Sequence, residues 1–237
     1  MIDIHNHSLY GVDDGSDSIE TTEKMLIDAR TQGISDIIMS PHFRHGMFRY
    51  DIEKIEDHFE KARAVADKVG INIYLGCEYH VDTDMVSNLK NHHVHTEGDT
   101  DYVLAEYSHD TSEEFINTSV QDLLMAGYVP VIVHVERYGA FLKNGDLPFI
   151  MREAGALIQT NAASISGAEG RASKNYSISL INDGVCDIVA SDAHNMKERK
   201  NMMGKAYKVV SKKFGKDTAN AIFTDNPYDI IREIKNR

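Results

Sequence analysis

The sequence predicts one α/β domain over residues 1–237, its mostly parallel sheet closed into a distorted TIM-like (β/α)7 barrel. Three observations predict it. Seven strand-like runs alternate with amphipathic helical patterns along the chain. Most of these runs are continuously apolar, as parallel strands covered on both faces are. No Gly-rich phosphate loop follows any run, which argues against an open nucleotide-binding sheet.

The predicted strands are residues 2–5, 36–40, 72–77, 102–106, 130–135, 156–161 and 187–191. The clearest helix spans 51–69, where Ile52, Ile55, Phe59, Ala62, Ala66 and Val69 recur near helical spacing. Asp17-Ser18-Ile19-Glu20 and Thr111-Ser112-Glu113-Glu114 read as capping boxes that open two further helices. Asn226-Pro227 reads as an N-cap followed by proline at the first helical position.

Composition bounds the function. The chain has 237 residues, 42% hydrophobic and 26% charged, ordinary values for a globular protein. No apolar run approaches a membrane span, and Met1 leads straight into the first strand, so a cytoplasmic protein without signal peptide or membrane insertion is expected. Cys77 and Cys186 lie in apolar stretches and read as reduced core residues. The net charge of −12 argues against binding nucleic acid or an anionic membrane. It also means that an anionic substrate needs a local positive centre.

The polar residues supply one. His5 and His7, two apart at the end of the first strand, can point at one object. His42 follows the second strand and Glu78 the third. Glu106 ends the fourth, His134 lies at the end of the fifth, Asn161 ends the sixth, and Asp192 and His194 follow the seventh. Barrels of this type build their sites at the C-terminal ends of the strands. With Asp14 in the loop Gly11-Val12-Asp13-Asp14-Gly15, five histidines and four carboxylates converge. Nine ligands are too many for one ion and fit three divalent ions with water or a bridging group completing each. Nitrogen and carboxylate oxygen without thiolate point to Mn first, with Fe or Zn as alternatives. Three divalent ions, four carboxylates and one bridging hydroxide leave a formal charge of about +1, where the side chains alone carry about −4. Arg137, three residues after His134, and Arg199, five after His194, stand near the same rim and offer planar forks to phosphate oxygens.

Other polar residues read as bystanders. Asn91-His92-His93-Val94-His95 precedes the fourth strand, towards the opposite end of the barrel, and reads as an exposed loop. His58 reads as a half-exposed helix residue. His80 and His109 lie on the active side in supporting or solvent roles, and the loop 43–50, with Arg44, Met47 and Phe48, can shape a substrate groove.

These residues together resemble the PHP (polymerase and histidinol phosphatase) superfamily, and within it the CpsB/YwqE type of manganese-dependent protein-tyrosine phosphatases of Gram-positive capsule and exopolysaccharide loci. The carrying stretches are His5-x-His7, Asp13-Asp14-Gly15, Gly46-Met47-Phe48, Val133-His134-x-Glu136-Arg137-Tyr138, Ser191-Asp192-x-His194-Asn195 and Asp225-Asn226-Pro227. The resemblance implies a PHP-type barrel with three metals. It places His5, His7, Glu78 and Asp192 on the first ion, Glu78, Glu106 and His134 on the second, and Asp14, His42 and His194 on the third. Arg137 and Arg199 match phosphate-holding positions. Two stretches depart from the pattern. Tyr79-His80-Val81 stands where an aromatic-rich continuation is expected, and Phe43-Arg44-His45 where a more basic run is usual.

The implied activity is hydrolysis of phosphotyrosine by hydroxide generated on the metals, acting on the phosphotyrosine tail of a bacterial tyrosine kinase that regulates polysaccharide biosynthesis. Neither cysteine has an arginine six residues on, so no cysteine nucleophile is implied. The alternatives are a PHP-type phosphatase for a small metabolite such as histidinol phosphate, and a non-hydrolytic, metal-loaded module that binds a kinase.

Overall fold

A computed structural model describes residues 1–237. Its strands are β1 (Ile2–Asn6), β2 (Asp36–Met39), β3 (His42–Phe43), β4 (Asn72–Leu75), β5 (Glu78–His80), β6 (Tyr102–Glu106), β7 (Val129–Ile132), β8 (Leu157–Asn161) and β9 (Ile188–Ala190). The helices are α1 (Ile19–Thr31), α2 (Ile52–Val69), α3 (Met85–Lys90), α4 (Glu113–Met125), α5 (Gly139–Lys143), α6 (Leu147–Ala154), α7 (Ala162–Ser166), α8 (Arg171–Asn182), α9 (Met203–Phe214), α10 (Lys216–Asn220) and α11 (Asn226–Asn236). All strand pairings are parallel, in the orders β1-β2-β4 and β3-β5-β6-β7-β8-β9. The curled sheet meets itself at a parallel bridge between Asn6 and Ala193. The expected α/β barrel architecture, distorted from the regular form, is what the chain adopts.

The distortion has a local cause. Two of the seven predicted strands stop early, at Met39 and Leu75, and after breaks at Ser40-Pro41 and Gly76-Cys77 the chain resumes as β3 and β5, two short strands beyond the predicted bounds. Pro41 has no amide hydrogen to give a neighbouring strand. At Gly76 an added Cβ would fall 2.4 Å from a Glu97 carboxylate oxygen, so only glycine fits. The chains still run together across the break, with Gly76 N–H donating to Met39 O (2.9 Å) and Glu78 N–H to Pro41 O (3.1 Å). The buried Glu97 carboxylate fills the gap, accepting from Cys77 N–H at 3.1 Å.

Two apolar cores divide the molecule. The larger lies between the sheet and the surrounding helices. The smaller fills the barrel interior with Ile2, Ile4, Ile38, Leu104, Val131, Val133, Ile188 and Ala190, and is sealed by Ile230 and Ile231 of α11. Along a strand, residues two apart share a face. The interior positions therefore lead upward into polar ones: Ile38 to Ser40 to His42, Leu104 to Glu106, and Ala190 to Asp192. β1 reaches the same end by another route. Its pairing with β2 shifts from Asp3↔Ile37 to Asn6↔Met39, one extra residue on β1. This bulge resets the alternation between Ile4 and His5.

Several expectations are corrected in detail. The fifth predicted strand ends at Ile132, so His134 stands beyond it in a left-handed backbone (φ 36°). The N-caps of α1 and α4 are Ser18 and Ser112, whose hydroxyls accept from Thr21 N–H (3.3 Å) and Phe115 N–H (3.2 Å). Each helix begins one residue later than its predicted capping box, which would make Asp17 and Thr111 the caps. Asn226 is not a cap: the backbone is already helical from Ala221, and its side chain donates to Asp187 O at 2.8 Å. Prediction of the 51–69 helix holds, with Asp51 capping its start and Gly70 (φ 75°) its end.

Candidate metal centre

The nine predicted ligands come from seven different chain segments, and the fold brings all nine to one end of the barrel. Glu78 sits at the centre. Its Oε2 lies 3.2 Å from His5 Nε2, 3.1 Å from His7 Nε2 and 2.9 Å from His42 Nδ1, and its Oε1 lies 2.9 Å from His134 Nε2. Asp192 Oδ1 stands 3.7 and 3.6 Å from His5 and His7 Nε2. Asp14, half exposed at the rim, lies 3.5 Å from His42 Nε2 and 3.4 Å from His194 Nε2. Glu106 Oε2 is 3.9 Å from His42 Nδ1. All but Asp14 and Glu106 are buried. Asp192, like His134, is left-handed (φ 52°), a strained backbone for a non-glycine residue and one that aims its side chain off the strand axis.

Three groups have donor atoms close enough to share an ion: His5, His7, Glu78 and Asp192; His42, Glu78 and Glu106; and His7, His42 and His194. The first is the set the resemblance places on the first ion. The others differ in membership from the second and third sets: His42 stands between two groups, His134 reaches only Glu78, and Asp14 closes on His42 and His194 from the rim. The donor set fits divalent cations. Of the seven buried side-chain atoms without a hydrogen-bond partner, four belong to it: His42 Nδ1, Glu78 Oε2, Glu106 Oε2 and His194 Nε2. Unpartnered buried polar atoms are costly, and cations bound within these groups would satisfy them.

Electrostatics follows from this crowding. Burial disfavours a charged His5, but Glu78 and Asp192 outweigh it and raise its pKa to about 9. Burial, reinforced by Glu78, pushes Glu106 up to about 7. Burial and neighbouring His7 lower His194 to about 4. Asp192 is held well below the usual carboxylate range: burial opposes this, but His5 and Arg137 outweigh it.

Hydrogen bonds orient the imidazoles. His7 Nδ1 meets Asp13 Oδ2 at 2.8 Å, an oxygen that also accepts from His42 N–H (3.1 Å). His134 Nδ1 meets the Tyr138 hydroxyl at 3.0 Å, and His194 Nδ1 meets Asp192 O at 3.0 Å. His5 Nδ1 meets Gln159 Oε1 at 3.2 Å. With Nδ1 donating in each case, the lone pair sits on Nε2 and faces the cluster. Gln159 is fully buried and does more: the same Oε1 accepts from His134 N–H (3.3 Å), while its Nε2 donates to Asn161 Oδ1 (2.8 Å), whose Nδ2 donates to Asp192 Oδ2 (2.8 Å). One side chain thus braces His5, His134 and, through Asn161, Asp192. Gly15 permits the approach of the loop carrying Asp13 and Asp14, since an added Cβ there would fall 2.1 Å from His7 O.

Gln159→Leu keeps the volume and removes the bracing. We expect bound metal to weaken by about 10–100-fold, the usual cost of losing a group that orients a ligand. Gln159→Glu, which keeps an acceptor for His5, restores most of it. Metal titration by calorimetry reads both, and equal affinity in Gln159→Leu and wild type removes the role.

Both arginines reach the cluster. Arg137 donates to Asp192 Oδ2 (2.8 Å) and Glu169 Oε1 (2.5 Å), and Arg199 to Asp14 Oδ2 (3.0 Å) and Asp192 Oδ1 (3.3 Å). Together with Arg44, Met47 and Phe48 they line a cavity of about 160 Å³ over the candidate ligands. Phe48 stacks on His42, ring centroids 5.1 Å apart, which brings the 43–50 loop over the site as expected.

The bystanders separate as their positions require. His92 and His93 are exposed, whereas His95 is half-buried with Nδ1 2.7 Å from the Tyr50 hydroxyl, correcting the reading of the whole stretch as exposed. His58 is half-buried and stacks on Tyr10. His80 touches Ser108 and His109 is exposed. Cys77 and Cys186 are buried thiols, and burial pushes Cys186 up to about 12. Sequence reasoning missed Asp13, Gln159, Tyr138 and Glu169 as supports. The signal for Gln159 was present: it precedes Asn161 by two residues in a strand that opens on an apolar run, and so shares its face.

Residues 1–232 match the model of the family described as capsular polysaccharide synthesis, CpsB/CapC. The chain belongs to the CpsB/CapC family. It is 33% identical to the tyrosine-protein phosphatase CpsB of Streptococcus pneumoniae, over 98% of this chain and 99% of that one. Its fold superposes with a TM-score of 0.89 and 29% identity on a crystal structure from work on YwqE of Bacillus subtilis and CpsB of S. pneumoniae, described as metal-dependent tyrosine phosphatases, covering 100% of this chain and 95% of that one. A histidinol phosphate phosphatase from Lactococcus lactis shares the fold alone, with a TM-score of 0.59 and 17% identity over 89% of this chain and 92% of that one. No helix in this CpsB/CapC chain is long and apolar enough to cross a membrane.

Proposed function

We propose that residues 1–237 form one metal-dependent protein-tyrosine phosphatase domain, acting in the cytoplasm on the phosphotyrosine tail of a tyrosine kinase in polysaccharide synthesis. The observation that carries the reading is the convergence of five histidines and four carboxylates, with unpartnered buried donor atoms, beneath two arginines. The similarity to named tyrosine phosphatases over nearly the whole chain supports the substrate class.

His5, His7, Glu78 and Asp192 would hold one ion, with Glu78, Glu106 and His134 and with Asp14, His42 and His194 completing a set of three, manganese first. Bound divalent ions supply an activated water near neutral pH and stabilise charge on a phosphoryl group. The protein's own part is binding and orientation. Arg137 and Arg199 turn their donors over the ligand set, where they bind phosphoryl oxygens not facing the metals. Gln159, Asp13 and Tyr138 hold the imidazoles so that each Nε2 keeps its lone pair inward. Phe48 and Met47 roof the cavity and offer an aromatic leaving group an apolar wall.

One preparation tests this. With three equivalents of manganese, the protein is expected to hydrolyse a phosphotyrosine peptide far faster than histidinol phosphate. Activity should vanish after verified metal removal and survive thiol alkylation. Faster turnover of histidinol phosphate would favour the small-metabolite reading. Metal binding without turnover of either would leave a non-hydrolytic module.

A further inference from the structure

Beside the metal cavity lies a second, larger hollow of about 560 Å³. Arg44, Glu106, His134 and Arg137 line both, so the two adjoin. The outer part of the hollow is walled by Ser108 and His109 after β6, Leu142 of α5 and Ser173 of α8. Leu142 is 49% exposed there, an apolar side chain facing open space. The acidic residues that line the hollow are Glu106 and Glu136, and Glu136 is buried with its Oε1 accepting from Asn161 N–H and the Ser164 hydroxyl.

Arg44 differs from the other two arginines at this mouth. Arg137 is tied to Asp192 and Glu169, and Arg199 to Asp14 and Asp192. Arg44 has no carboxylate within ion-pair distance and no side-chain hydrogen bond, although its charge is felt at Glu106 and His80. A half-buried guanidinium at a site mouth, unpaired in a chain of net charge −12, is a cation left free for something that arrives.

We propose that the hollow seats the peptide segment flanking the phosphotyrosine, and that Arg44 selects an anionic side chain in that segment. The inference rests on the phosphotyrosine reading above. The two cavities share a wall of four residues, so a segment that leaves the metal cavity on that side runs into the hollow. Serine and histidine side chains there offer hydrogen bonds to its backbone, and Leu142 gives an apolar neighbour a contact. Specificity of this kind is a difference between substrates, set by the one charge that has no partner until substrate binds.

The test uses the manganese-loaded full chain and four phosphotyrosine peptides. They differ only in the residues directly flanking the phosphotyrosine: Glu, Gln, Lys or a second phosphotyrosine. Wild type is expected to favour Glu over Gln in kcat/KM by roughly fivefold or more, and to disfavour Lys, as a partly desolvated charge-assisted contact requires. Arg44→Gln should bring the Glu/Gln ratio close to one. A higher rate for the second phosphotyrosine than for Glu would identify phosphate as the preferred anion, and the reverse would identify carboxylate.

Three results would overturn the proposal. The first is a wild type that does not discriminate Glu from Gln. The second is a preference that persists in Arg44→Gln. The third is an Arg44→Gln variant slowed equally on both peptides, which would assign Arg44 to the phosphoryl group. Failure of wild type on all peptides and on p-nitrophenyl phosphate is a different outcome: it removes the phosphatase reading itself, and this inference with it. The Arg44 side chain makes no internal hydrogen bond or ion pair, and its backbone bonds to Met47 and Phe48 N–H survive substitution, so the variant is expected to keep the wild-type melting temperature, which checks that the ratio reports on contact and not on folding.

Discussion

Glu78→Gln is expected to empty the centre and to lower turnover by on the order of 10³-fold or more, since metal assistance supplies several kcal/mol of transition-state stabilisation. The reason is position. Glu78 is the one carboxylate within about 3.2 Å of four imidazoles, those of His5, His7, His42 and His134. Its two oxygens face different partners, Oε1 towards His134 and Oε2 towards the other three. Glutamine keeps the shape but removes the charge and replaces one acceptor by an NH2 donor that points at ring nitrogens meant to keep their lone pairs. Metal analysis of the purified variant, together with circular dichroism to establish the fold, checks the expectation. A variant that retains its full complement of metal and most of its turnover would show that Glu78 does not join the groups.

Arg137→Ala is expected to leave metal bound and to lower kcat by about 10²–10³-fold, the usual cost of removing one positioned donor from a developing charge. Arg137 touches the ligand set only through Asp192 Oδ2, and that oxygen keeps a second donor in Asn161 Nδ2. Asp192 is therefore still held when the guanidinium is gone. Arg137→Lys restores charge without the planar fork and should recover only part of the loss. Steady-state kinetics alongside metal analysis separates the roles. Loss of metal in Arg137→Ala would make the residue a support of Asp192, and unchanged kcat would remove it from phosphoryl binding.

Much of the centre is legible in the sequence because of strand geometry. In a parallel α/β barrel every strand leads to the same end, so a polar residue closing an apolar run announces its place without knowledge of its neighbours. His42, Glu78, Glu106, Asp192 and His194 are all of this kind. The same logic set aside His92 and His93, which precede a strand. It overreached with His95, because the Tyr50 hydroxyl comes from a loop whose path no spacing rule predicts.

What stayed hidden depended on contacts between distant segments. Asp13 reads as a loop acid until His7 Nδ1 is found 2.8 Å away. Glu169 reads as a solvated charge until Arg137 meets it. Gln159 reads as an irregularity in a buried strand until both His5 and His134 are seen to share its oxygen. The pairing of ligands into groups was likewise undecidable from order along the chain: His42 lies between two groups because the break at Ser40-Pro41 turns it inward beside Glu78.

By itself the sequence determined the alternation of strands and helices, the end at which the site lies and the identity of its nine candidate ligands. Those follow from periodicity and direction, which are properties of single segments. Tertiary structure alone decided where the barrel breaks, which nitrogen each histidine presents, and which arginine is left without a partner. Those depend on distances between groups remote in sequence, such as the 154 residues between His5 and Gln159, and only the closed fold sets them.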